Sequence, residues 1–110
     1  MSLDVDLYVT VDGSSIHVFE ANITHNLTKM AANAGVYYAC WHPEEINATH
    51  AKHILPMLDD GIKALREFPD HYKQFAPENG WGTYDGFLAW LEKYAEACRK
   101  FPSARIEAST

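Results

Sequence analysis

Basic residues are scarce in this chain: nine lysines and arginines stand against fifteen acids, a net charge of −6. Nucleic-acid binders draw most of their affinity from a basic stripe that neutralises phosphates. Here the bases are scattered from Lys29 to Arg105, so no nucleic acid is expected as a partner. Long apolar runs are missing too. None approaches the ~18 residues of a membrane helix, and no membrane partner is expected. Cysteine is limited to Cys40 and Cys98, each among aromatic or apolar neighbours. Two buried free thiols are the expected outcome, not a disulfide framework. The opening Met-Ser-Leu-Asp-Val-Asp has neither a basic nor an apolar signal region, which reads as a cytoplasmic chain. HExxH, CxxC, GxSxG, P-loop and dinucleotide patterns are all absent, and no cofactor is expected.

What is present is core-forming material. Of 110 residues, 47% are hydrophobic and 13% aromatic, which excludes disorder and coiled coil. A chain of this mass folds to roughly 6,100 Å² of surface and hides about two thirds of what it exposes unfolded. That supports one globular domain over residues 1–110.

Residues 5 to 11 alternate, with Val5, Leu7, Val9 and Val11 on one face and Asp6, Tyr8 and Thr10 on the other. This is a half-buried strand. Asp12-Gly13-Ser14-Ser15 is turn chemistry, and Ile16 to Ala21 reads as the returning strand, with Ile16, Val18 and Ala21 inward around Phe19. Asn22 to Asn26 then supplies capping side chains for a short helix over about 24 to 34, stopped at Gly35. Val36 to Trp41 has no assignable type. Pro43-Glu44-Glu45 resembles a first helical turn.

Ala51, Ile54, Leu55, Leu58, Ile62 and Leu65 keep helical phase across Pro56, which predicts one helix over 48 to 67. Pro69 restarts a turn through Tyr72 and Phe75. Thr83 caps a last helix reaching about Lys100, and residues 104 to 108 alternate like an edge strand. The expected fold class is α+β: an N-terminal hairpin and a C-terminal strand packed against three main helices.

Two segments carry more polar or glycine residues than a scaffold needs. Asn22, Thr24, His25 and Asn26 crowd one helix entrance; Asn79, Gly80, Trp81, Gly82 and Tyr84 form another. A helix entrance offers unpaired N–H groups, glycines admit a ligand to the backbone, and a tryptophan presents a stacking face. These nine residues are the candidate ligand-binding set, on condition that the two entrances meet. Simple capping and a tight turn account for the same residues without a ligand. His25 is the candidate general acid or base, since a neutral imidazole both donates and accepts. His50 and His53 lie one helical turn apart, but no third ligand follows at helical spacing, so no metal is assigned.

Three stretches resemble an uncharacterised family of small phage and bacterial proteins: Asn22-Ile23-Thr24-His25-Asn26-Leu27 with Met30-Ala31 and Gly35; Trp41-His42-Pro43-Glu44; and Asn79-Gly80-Trp81-Gly82 with Tyr84. The resemblance extends over most of the chain and brings no function with it. It implies that the two polar loops are the family's signature.

The leading functional expectation is a small non-enzymatic binding module for a small molecule or a protein. One alternative is an enzyme using His25 with an anion held at the glycine loop. The other is a self-associating protein, such as a homodimer, because Tyr37, Tyr38, Trp41, Trp81 and Trp90 exceed what a small core absorbs.

Overall fold

Asp12 and Gly13 both take positive φ, 50° and 81°, the geometry that matches a two-residue hairpin loop to the twist of its strands. They join β1 (Ser2–Val11) to β2 (Ser14–Thr24). The computed structural model describes residues 1–110 and shows the expected α+β fold. β3 (Arg105–Ser109) pairs antiparallel with β1, giving the sheet order β2-β1-β3. The C-terminal strand therefore completes the sheet, with the first strand at its centre.

Leu3, Val5 and Leu7 of β1 are fully buried on the helix-facing side, and Ile106 and Ala108 of β3 pair with Leu7 and Val5 on that same side. The returning strand corrects the expected phase. Leu7 pairs with Phe19 while Tyr8 pairs with His17, leaving Val18 as the extra residue of a β-bulge. Before the bulge Ile16 pairs with Val9; after it Phe19, Ala21 and Ile23 pair with Leu7, Val5 and Leu3. The side-chain face shared with β1's apolar residues thus passes from even to odd positions, which no uniform period of two can describe, and Ile16 and Val11, expected inward, are exposed near the hairpin tip.

β2 also runs further than its composition suggests. Asn22 belongs to the strand: its Nδ2 donates to Asp4 Oδ1 (2.7 Å) and to Ser2 Oγ (3.0 Å) across the sheet. A 3₁₀ turn, His25–Leu27, then leads into α1 (Thr28–Asn33). The untyped segment forms α2 (Tyr37–Trp41), and Pro43–Ile46 is a 3₁₀ turn.

α3 (Ala51–Glu67) passes through Pro56 unbroken, presenting Ile54, Leu58, Ile62 and Leu65 to the core. Its first amides are already used: Ala51 N donates to Ala104 O (2.8 Å) and Lys52 N to Pro102 O (3.0 Å). After α4 (Pro69–Lys73), α5 (Tyr84–Lys100) opens as predicted, Thr83 Oγ1 accepting from Gly86 N at 3.0 Å. α5 packs against α3 and buries Phe87, Leu91, Tyr94 and Cys98 in the core. No helix is long and apolar enough to cross a membrane.

Candidate functional site

The two polar segments are neighbours. A Cβ added at Gly82 would lie 3.0 Å from both Leu27 Cγ and Thr24 Cγ2. Gly82 itself holds φ at 113°, a backbone state that L side chains rarely adopt. Glycine is therefore required twice over, for conformation and for contact. The contact is packed, however, and none of the five principal cavities is lined by residues 24–26 or 79–84.

The nine candidate residues separate by role. Thr24 is a cap, its Oγ1 accepting from Asn26 N at 3.3 Å. Asn22 lies on the outer face of the sheet and lines a depression there with Asp4, Asp6 and Glu20. Tyr84 is buried, and its hydroxyl donates to Leu65 O at 2.6 Å. That leaves Asn26, Asn79, Gly80 and Trp81 facing solvent beside Gly82. Trp81 is 71% exposed. Its own N–H donates to Asn79 Oδ1 at 2.9 Å, so the side chain before it fixes the bend that projects it.

His25 is half-buried. Its ring meets Trp41 edge-on, with centroids 6.3 Å apart, and its Nε2 is buried without a hydrogen-bond partner. A general acid or base must reach the proton it moves, and this nitrogen faces the interior. At the entrance of α5, Asp85 puts a carboxylate in the first turn, where the proposed anion would sit. Neither feature of the enzymatic alternative gains support from its surroundings.

His50 and His53 have structural work. His53 Nδ1 accepts from Thr49 N (3.1 Å) and His50 N (3.2 Å), and His50 Nδ1 lies 2.7 Å from Thr49 Oγ1. They close the start of α3. The aromatic surplus also shrinks: Trp41 is buried, its ring stacked on Tyr37 at 5.8 Å, and Trp90 packs between Phe87 and Tyr94. Of the five aromatics, Tyr38 and Trp81 remain largely exposed.

Cys40 and Cys98 are free and buried. Burial pushes the Cys98 thiol up to about 12 and the Cys40 thiol higher still, the neighbouring Cys98 adding to the effect. Neither thiol is a nucleophile at neutral pH.

Comparison with protein-family models, curated proteins and solved structures gave no match. Function therefore rests on the geometry of the chain itself.

Proposed function

We propose that this protein is a non-enzymatic binding module whose contact point is the Asn79–Gly82 bend, and that its partner is a protein surface with an apolar socket. One observation carries the reading: a tryptophan is held in water by a bend whose far glycine is wedged against Thr24 and Leu27. Anchoring the bend reduces the ordering cost of binding, and tryptophan is enriched among residues that dominate interface energies. The flat surroundings favour a macromolecular partner over an enclosed small ligand. A small acidic accessory protein of a phage or bacterium, acting in the cytoplasm by binding a host factor, fits this reading by analogy.

Trp81→Ala is expected to change folding stability by less than about 0.5 kcal/mol, as exposed positions do. The same substitution should lower partner capture from a bacterial lysate by about tenfold or more, while Trp81→Phe retains much of it. Quantitative mass spectrometry on matched baits checks this. Identical captured sets for wild type and Trp81→Ala would refute the reading.

Self-association is a second reading, favoured by a separate observation. β2 is an edge strand, paired only with β1. Beside it lies a groove of about 560 Å³ with Val18, Phe19, Ala89, Ala97 and Phe101 among its lining residues, and charged residues Glu92, Lys93, Glu96 and Lys100 around them. An exposed edge next to apolar surface invites strand addition, and antiparallel pairing of two copies would join their sheets. Light scattering at micromolar concentrations should then give a dimer that Val18→Lys dissociates. A monomer at every concentration removes this reading.

A further inference from the structure

The face of the sheet turned away from the helices has an unusual charge pattern. Asp6, on the central strand, stands directly opposite Glu20 on β2 and Glu107 on β3. Three carboxylates thus lie abreast, and like charges directly opposite one another destabilise a sheet. Arg105 does not relieve the β2 side. Its Nη1 binds Glu107 Oε1 at 2.6 Å, and its guanidinium lies 5.0 Å from the centre of the Tyr8 ring.

The bulge at Val18 then acquires chemical meaning. In a regular strand, residues 17 and 20 point to opposite faces. The extra residue puts His17 back on the face of Glu20, with its Nε2 at 2.8 Å from Asp6 Oδ1. One imidazole nitrogen and two carboxylate oxygens, one each from Asp6, His17 and Glu20, lie within 4.8 Å of one another. We propose that these three residues bind a borderline divalent cation of the zinc class.

The donor set argues for that class. A single imidazole with two carboxylates suits zinc, manganese or cobalt, whereas calcium takes oxygen donors alone. Tetrahedral coordination with bonds near 2.1 Å asks for donors about 3.4 Å apart. His17 Nε2 and Asp6 Oδ1, now at a hydrogen-bond distance of 2.8 Å, need draw apart only by about half an ångström to admit the ion, and the Glu20 side chain is exposed and able to swing inward. Binding replaces the His17–Asp6 contact: the neutral imidazole takes its Nδ1–H tautomer and the Nε2 lone pair goes to the cation.

Three protein donors leave coordination positions free for water or an exogenous ligand. The adjoining depression of about 440 Å³, lined by Asp4, Asp6, Glu20, Ala21, Asn22 and Ser109, gives them space. The Asn22 amide bond to Asp4 Oδ1 engages one carboxylate oxygen of the fourth acid on this face.

A second cluster, His42 with Glu44 and Glu45, makes an internal control. Its His42 Nδ1 likewise lies 3.1 Å from Glu44 Oε1, but Glu44 and Glu45 are 65% and 58% exposed against 25% for Asp6, so water competes more strongly for its carboxylates.

Calorimetric titration of the metal-free full chain with zinc chloride at neutral pH tests the assignment. Saturable binding of one zinc per chain is expected, with His17→Gln and Asp6→Asn each weakening it at least tenfold and His42→Gln leaving it unchanged. The His17 imidazole proton resonances should shift on titration while those of His42 do not. No saturable binding, binding unaltered by His17→Gln, or binding lost with His42→Gln would each overturn the proposal. Far-UV circular dichroism of each variant confirms that its sheet is intact.

Discussion

Raising the pH from 8.5 to 11 is expected to unfold this protein, with the buried thiols of Cys40 and Cys98 as the main cause. An unfolded cysteine loses its proton near pH 8.5. In the folded chain burial raises Cys98 to about 12 and Cys40 beyond it. Below pH 8.5 both states keep the proton and the thiols add no pH dependence. Above it the unfolded state releases protons that the folded state retains, so stability falls as pH rises. Each thiol costs about 1.4 kcal/mol per pH unit until its folded value is reached. Two thiols over two and a half units remove roughly 7 kcal/mol, comparable to the whole stability of a small domain.

Tyr94 adds to the slope above pH 10, since burial raises its hydroxyl well beyond the ordinary tyrosine value. Urea unfolding at intervals between pH 7.5 and 11 measures the trend. A Cys40→Ala/Cys98→Ala double variant starts less stable but should lose stability more gently with pH. Parallel curves for wild type and variant would show that the thiols are not responsible.

Local chemistry made part of this structure readable in advance. Asp12-Gly13 specifies its turn through positive φ, and Thr83 specifies the start of α5 through one accepting oxygen. Each is settled by nearest neighbours. The bulge at Val18 is different, because Ile16, Val18 and Phe19 are all apolar and a shift of inward phase among them leaves the pattern of types intact. The Asn22–Asn26 cluster misleads for a related reason. On a strand, Asn22 outside, Ile23 inside and Thr24 outside is ordinary alternation, yet the same amides and hydroxyls also cap helices. Only pairing with Ser2 and Asp4 decides between them. The proposed cation ligands were hidden by the same bulge, since spacing alone places His17 and Glu20 on opposite faces. Proximity of Gly82 to Thr24 and Leu27 is a tertiary fact with no local signal.

Tyr84 shows how a residue that looks like part of a binding loop can belong to the framework. Leu65 lies in the last turn of α3, and its carbonyl would ordinarily accept from the N–H four residues on. That residue is Pro69, which has none. The Tyr84 hydroxyl provides the missing donor at 2.6 Å, tying the first turn of α5 to the end of α3. Tyr84→Phe should therefore cost about 1–3 kcal/mol, the cost of leaving a buried acceptor unpaired. Tyr94→Phe supplies the contrast within the same helix. The Tyr94 hydroxyl is buried with no hydrogen-bond partner, so its removal should be neutral or mildly stabilising. The two substitutions delete the same atom from the same residue type, and thermal or urea unfolding compares them directly. Equal losses would mean that the Leu65 contact adds nothing beyond the burial of a phenol, and Tyr84 would return to the set of residues available for binding.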